Sequence, residues 1–276
     1  MTDDTVIDHE TYKQFERTGF SREAEGYNKA TAPVTSQVND AILDVVGAGR
    51  GTRVLDVACG PGWLSTAAVE RGAIVTGVDF AEPMVAIARP RCPDAKFHTG
   101  DAEHLPFEAG QFEVVACNLG LNHFPNPERA IAEAWRVLMP GGRYAFTCWT
   151  LPERNPFWSL ILGAVLRHGT LDVALPPGPP PFRFGDPAEC ERALHAGGFV
   201  VVSVTELPIV WPFAAPEDVV AGFEVSCARL GSMLAMQTAE QRYNIEQAFI
   251  EGAKAYASEE RIAIPAPVVL AVARKP

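Results

Sequence analysis

The stretch VLDVACGPGWLS, Val54 to Ser65, decides the fold. Its first half belongs to an apolar run, Arg53–Ala58, interrupted by one acid, Asp56, and such a run suits a strand buried on both faces. Its second half, Ala58-Cys59-Gly60-Pro61-Gly62, is a loop of small residues, and Trp63 opens a helix that Gly72 stops. In an open parallel sheet, ligands lie at the carboxyl ends of the strands. The small residues there leave room for a ligand to touch backbone, and the next helix presents free N–H groups.

The alternation continues downstream. Ala73–Phe80 reads as a second strand, and Glu82–Arg89 as a helix with Pro83 in its first turn, ended by Pro90. AKFHTGD holds a short strand and Phe112–Asn118 a fourth. Asn126 and Pro127 suit the N-cap and first position of a helix. Its Ile131, Ala134, Trp135 and Leu138 recur at helical spacing and face the sheet. Pro140-Gly141-Gly142 stops that helix before a fifth strand, Arg143–Trp149. Beyond Trp149 come a helix from Pro156 to Arg167, a proline patch at Pro176–Pro181, a helix over Asp186–Gly198 and a strand at Phe199–Leu207. Helical material follows from Pro216 to about Ser258, then a last strand in PAPVVLAVARK. Strands alternating with helices predict an α/β, doubly wound sheet of about seven strands, mostly parallel with an antiparallel C-terminal strand, plus a helical lid. The proline patch is either a wall of a pocket or a rigid surface connector.

Of 276 residues 47% are hydrophobic, enough for a sizeable core, and the formal net charge is −11. No cluster of Lys or Arg offsets that acidity, which disfavours both nucleic acid and an anionic membrane surface as partners. Cys59, Cys92, Cys117, Cys148, Cys190 and Cys227 are scattered, with no CxxC pair. They read as reduced core residues, not as a disulfide frame or a zinc site, and no metal is expected. The start, MTDDTVIDHE, lacks the basic and apolar segments of a secretory leader. The longest apolar stretch, Leu160–Leu166, is too short to span a bilayer. A cytoplasmic monomer or homodimer is the expectation.

A dinucleotide site would want a third glycine where Ser65 stands, and Asp56 would repel a pyrophosphate. A carboxylate there suits a cation or an amine. Asp56-x-Ala58-x-Gly60-x-Gly62 resembles the first motif of the class I S-adenosylmethionine-dependent methyltransferases, with Ala58 in place of the usual first glycine. VTGVDFAEPMV resembles the second motif, which implies that Asp79 accepts both ribose hydroxyls, with Phe80 beside it and Met84 on the adenine face. GDAEHLPFEAGQFEVV resembles the third, where Asp101 takes the adenine amino group and Ala102 offers its backbone. CNLGLNHFPNPERAIAEAWRVLMPGG resembles the segment after the fourth strand, whose Asn118 and Leu119 line the cofactor cleft. EGYNKATAP resembles the N-terminal capping segment, whose Tyr27 covers the methionine end. Read without the resemblance, Asp79 is a strand-end acid, Met84 a core residue and Tyr27 an anchor for the N-terminal helix.

The resemblance is to the small-molecule type, which includes ubiquinone and menaquinone methyltransferases. It implies an N-terminal helical cap over 1–48, a cofactor-binding Rossmann-like core over 49–150, and lid insertions with the last two strands of the same sheet over 151–276. S-adenosyl-L-methionine is the implied cofactor, and methyl transfer by in-line displacement to a small acceptor the implied reaction. Much of its rate comes from alignment. A base is needed only where the acceptor must lose a proton, and His123 is the candidate; the alternative is that it packs the following helix. Trp149, Phe157, Trp158, Phe182, Phe184, Trp211, Phe213 and Phe223 gather after the fifth strand, which favours a hydrophobic or aromatic acceptor. Two other readings stay open: a cofactor-binding regulatory protein without turnover, and a NAD-dependent oxidoreductase.

Overall fold

The computed structural model describes residues 7–215, 218, 228–259 and 261–276. Five strands, β1 (Arg53–Val57), β2 (Ile74–Asp79), β3 (Lys96–Thr99), β4 (Phe112–Asn118) and β5 (Leu138–Trp149), pair in parallel. With β6 (Val200–Leu207) and β9 (Val268–Arg274) they make a seven-stranded sheet of order β3-β2-β1-β4-β5-β9-β6, in which β9 runs antiparallel to both its neighbours. The order reverses between β1 and β4, so the loops after those two strands face each other across a crevice. That crevice is the ligand position of such sheets.

Both faces are covered, as the uninterrupted apolar strands demand. On one face lie α3 (Asn39–Val46) and α4 (Trp63–Glu70), which bury Ile42, Leu43, Leu64 and Ala68 against Val54 and Val75. On the other lie α6 (Pro127–Val137) and α8 (Pro187–Ala196), which bury Ile131, Ala134, Cys190 and Leu194 against Leu55, Val115 and Phe146. Each such aliphatic side chain contributes about 1.5–3 kcal/mol by leaving water. The described cysteines are free and buried; Cys227 lies outside the described residues.

The helix after β2, α5 (Glu82–Arg91), runs through Pro90 instead of ending before it. A proline in the last turn forfeits a single intrahelical bond there, and the Cys92 N–H closes the helix on Ala88. Helix α6 stops at Val137, earlier than Pro140-Gly141-Gly142. Those three residues form a bulge within β5, between the Phe112–Leu138 and Val114–Arg143 pairings. Trp135 falls at the edge of the buried stripe, 38% exposed, with Lys275 Nζ 3.8 Å above its ring.

Across the front lies α1 (His9–Ala30), its first turn capped by the Asp8 carboxylate, and the single turn α2 (Ala32–Thr35) follows it. The lid comprises α7 (Pro156–His168), α9 (Ala228–Ala235) and α10 (Ala239–Ala253), the last started by a Thr238–Gln241 capping box. A two-stranded ribbon, β7 (Val210–Phe213) with β8 (Ile262–Pro265), has no counterpart in the sequence reading. Its Trp211 ring stacks on Phe157 at 4.2 Å, so this ribbon extends the core beneath the lid. The start of the expected helical stretch, from Pro216, and the aromatic Phe223 lie outside the described residues. Among those described, no helix is long and apolar enough to cross a membrane.

Candidate functional site

The turn after β1 is held from below. Asp79, at the end of β2, accepts the Gly60 N–H on Oδ2 and the Ala81 N–H on Oδ1, both at 2.9 Å. Asp56 accepts the Ser65 hydroxyl at 2.7 Å, which ties the strand end to the first turn of α4. Ser65, the residue that breaks the dinucleotide pattern, is therefore the partner of the acid. Ala58 and Leu119 both adopt left-handed backbone, with φ of +56° and +55°. Side chains rarely accept that region, which explains why the motif usually has glycine at the first of these positions. A Cβ added at Gly60 would meet nothing within 4 Å, so the loop faces open space there. Gly62 does something else: it caps α4 at φ +82°, and a Cβ on it would sit 3.0 Å from the Ala88 Cβ. Its smallness serves packing, and it is the one expected residue that walls none of the cavities at this site.

Eleven of the twelve residues expected to bind the cofactor line three narrow cavities that share Ala58. Asp79, Phe80, Met84, Leu119, Tyr27 and Gly60 wall the middle one. Asp101 and Ala102 lie in the second, with Phe80 and Val78. Asp56 and Asn118 lie in the third, under Tyr27 and Trp63. Asn118 also spans the cap and the sheet, donating to the Thr35 carbonyl at 3.0 Å and accepting from the Thr147 hydroxyl at 2.6 Å.

Asp101 is not an empty acceptor waiting for an amino group. Its Oδ2 lies 2.7 Å from Lys13 Nζ, and its Oδ1 accepts the Glu103 N–H at 2.9 Å. Lys13 also reaches Glu103 at 2.8 Å. Partial burial pushes the Asp101 carboxyl up, but the Lys13 ammonium and the backbone bond outweigh that and hold it below the usual range. A contact from Asp101 to an adenine has to share the carboxylate with Lys13.

The two inner acids behave oppositely. Burial pushes the Asp56 carboxyl up to about 7, against the Ser65 hydrogen bond and with the Asp79 charge adding to the rise. Burial pushes Asp79 up to about 6, against the Ala81 and Gly60 N–H bonds. Both folded-state values lie above an unfolded carboxyl at about 3.9. The folded protein therefore holds these protons more tightly. The stabilisation is full below about pH 4 and is lost as pH rises through 6 to 7, at about 1.4 kcal/mol per proton per pH unit. The ligand-free protein should melt at a lower temperature at pH 7.5 than at pH 5.5, and Asp56→Asn should flatten that slope. An unchanged slope in Asp56→Asn would remove this acid from the pH dependence.

His123 stands in a short 3₁₀ turn after β4 and walls two of the narrow cavities, including the one beside Asp79. It also walls a fourth, larger cavity of about 380 Å³. That cavity is lined by Trp149, Trp158 and Phe182 of the expected aromatic set, with Leu162, Leu171, Val173, Leu175 and Met233. Phe157, Trp211 and Phe213 are core behind it, and Phe184 packs on Phe146 across the sheet. The proline patch is a wall: Pro181 lines the cavity, as does Leu175 just before the patch, and Gly178 presses against the Tyr12 ring.

Behind His123 lies a residue that sequence reasoning missed. Glu16 of α1 is 1% exposed, and its Oε2 is 3.0 Å from His123 Nδ1. A carboxylate facing Nδ1 selects the tautomer with the proton on that nitrogen, which leaves Nε2 as the acceptor atom. Nε2 lies 3.2 Å from the Asn122 amide nitrogen, while the Asn122 Oδ1 is buried with no partner among the described residues. Lys13, Glu16 and Phe20 gave no periodic signal, because the buried face of α1 mixes Tyr12, Lys13, Glu16 and Gly19.

The methyltransferase domain family model matches residues 55–146. The chain is 36% identical over 126 residues to a demethylmenaquinone methyltransferase of Renibacterium salmoninarum, covering 46% of this chain and 53% of that protein. It thus spans about half the length of that relative. It is 32% identical over 196 residues to a ubiquinone biosynthesis O-methyltransferase of Azoarcus sp., covering 66% of this chain and 79% of the relative. Among solved structures, geranyl diphosphate C-methyltransferase from Streptomyces coelicolor, in complex with S-adenosyl-L-homocysteine, superposes with a TM-score of 0.51 at 19% identity, over 87% of this chain and 79% of that one. That likeness is one of fold.

Proposed function

We propose, for a chain that belongs to the class I S-adenosylmethionine-dependent methyltransferases, that it methylates a small hydrophobic or aromatic acceptor held in the larger cavity. One observation carries the reading: His123 is a wall of the Asp79 cleft and of the apolar cavity at once. A group seated there meets both ligands.

The residues fit the cofactor where the structure can be tested. The open space in front of Gly60 is a cradle that a side chain would fill, and Asp79 presents a carboxylate beside it. Asp79 would hold the ribose, Phe80 and Met84 would flank the adenine, and Tyr27 with Asn118 would close the opposite end. When bound, S-adenosylmethionine supplies an activated methyl group on a positively charged sulfur. The chain's own part is to exclude water, align the acceptor and take its proton where it has one. Glu16 fixes the imidazole tautomer, and His123 Nε2 receives the proton of an acceptor hydroxyl, in place of the Asn122 amide. The relatives' names, one in demethylmenaquinone methylation and one in ubiquinone biosynthesis, support an aromatic acceptor with oxygen substituents.

Calorimetry with S-adenosylhomocysteine and with NAD comes first. The homocysteine compound should bind and NAD should not, because Ser65 stands where a dinucleotide site wants its third glycine and Asp56 ends the strand beside the place a pyrophosphate would take. NAD binding alone would overturn the reading. A donor-turnover screen over phenols, quinols, amines and carboxylic acids, with products identified by mass, should then yield a methylated product. Cofactor binding with no product from any of them would favour the regulatory alternative.

A further inference from the structure

We infer that the occupant of the larger cavity is an aromatic carboxylate whose charge pairs with Arg229; this rests on the reading that the cavity receives the acceptor. Arg229 lies at the start of α9, half-buried, among the residues that line the cavity. Its Nη1 donates to the Pro176 carbonyl at 2.8 Å, which anchors the guanidinium to the proline wall; among the described residues its other N–H groups have no acceptor.

Its counter-charge is what is missing. Among the described residues no carboxylate lies within ion-pair distance of Arg229, in a chain with 34 acids against 23 Lys and Arg. Three other half-buried arginines have theirs: Arg71 on Asp40 at 2.7 Å, Arg136 on Glu133 at 2.7 Å, Arg183 on Glu128 at 2.6 Å; Arg91, which has no carboxylate among the described residues, is covered instead by the Trp63 ring at 4.4 Å and bonded to Asn28. The acid in the same cavity wall, Glu16, is committed to His123. A guanidinium cannot discharge itself by losing a proton, so beside the apolar side chains of Leu175, Leu230 and Met233 it calls for an anion. Its planar donors suit a carboxylate bound through both oxygens.

The walls select the body that carries this anion. Trp149 meets Trp158 at 6.0 Å and 65°, and Trp158 meets Phe182 at 5.3 Å and 72°. Edge-to-face rings of this kind extend favourably to one more flat ring. Arg229 and His123 wall the same cavity, so an aromatic acid can be held by its carboxylate while a hydroxyl on the ring meets the imidazole.

The test uses 2-naphthoate, its uncharged analogue 2-naphthamide, and octanoate, titrated against the full chain while the fluorescence of Trp149 and Trp158 is followed. 2-Naphthoate should bind at least tenfold more tightly than 2-naphthamide and more tightly than octanoate. In Arg229→Met, which keeps an apolar stem, the preference for the acid should fall to within about twofold; Arg229→Lys should restore part of it. An unchanged melting temperature of Arg229→Met confirms that the variant is folded. Equal affinity of naphthoate and naphthamide, no saturable naphthoate binding, or an undiminished preference in Arg229→Met would overturn the assignment to Arg229. Octanoate binding as well as naphthoate would overturn its aromatic part. No methyl donor is present in these titrations. An absence of turnover in the screen therefore leaves them readable, and a failed carboxylate preference leaves methyl transfer standing.

Discussion

His123→Ala should lower turnover of a phenolic acceptor by about 10²–10⁴-fold, with the affinity for S-adenosylhomocysteine unchanged. The separation follows from position. The ring edges the cofactor cleft, but the contacts expected to hold the cofactor come from Asp79, Phe80, Met84 and Tyr27. The ascending limb of the pH–rate profile should vanish in the variant. Glu16→Gln should cost less, because an amide oxygen still accepts the Nδ1–H and keeps the ring in place. For an amine or an already ionised carboxylate no proton has to be removed, and the loss in His123→Ala should shrink accordingly. Equal rates of wild type and His123→Ala on a phenol would leave His123 as a packing residue, a role for which its edge-on contact with Phe20 at 4.9 Å already suffices.

Asp79→Ala should weaken S-adenosylhomocysteine binding by roughly 2–4 kcal/mol, the cost of two hydrogen bonds to a charged acceptor. From sequence alone this acid is a clamp whose loss the ligand-free fold would not notice. The structure changes that expectation. Both oxygens already carry backbone N–H groups, so the substitution strands the donors of Gly60 and Ala81, at about 1–3 kcal/mol for each one left buried. Against this stands relief from a buried carboxyl raised to about 6. A moderate fall in melting temperature should accompany the loss of affinity. The same raised value gives the pH dependence of binding: affinity should decline as pH falls through about 6, where the carboxyl takes up a proton and accepts less well. Calorimetry at pH 5, 6 and 8 on both proteins measures it. A wild-type affinity in Asp79→Ala would show that the ribose is held elsewhere.

The centre of the sheet was legible because β1, β4, the second half of β5 and β9 are buried on both faces. Apolar runs such as FEVVACN admit no other reading between two turn signals, and their order brings Asp56, Asp79 and Asn118 to one edge. Ala58 and Gly60, whose place depends on the backbone, could be read from their smallness; at Gly62 the same smallness also serves helix packing, which the sequence does not distinguish. The surroundings of His123 and Asp101 were much less legible. Glu16 is 107 residues from His123 and Lys13 is 88 from Asp101. No local pattern distinguishes such residues from the solvated charges of an ordinary surface helix. The β7–β8 ribbon was hidden for a similar reason: four-residue strands, one with Pro212 inside it, give too short an alternation to stand out. The cavity wall built from the proline patch needed the lid in place before one of its two readings could be chosen.

Helix α1 supplies Lys13 to the Asp101 end of the cleft, Glu16 to His123 and Tyr27 to the loop after β1. At 1.5 Å per residue, the fourteen steps from Lys13 to Tyr27 make a bar about 21 Å long laid over both ligand positions. The bar is seated where Gly19 meets Ala228, a contact so close that a methyl group on the glycine would lie 2.3 Å from the alanine Cβ. Where Tyr27 covers the donor and the larger cavity receives the acceptor, as proposed, donor retention and acceptor choice turn on one shaft. A lineage that exchanged its acceptor by altering the lid helix α9 would then also reset how long the spent donor stays, and the two traits would drift together.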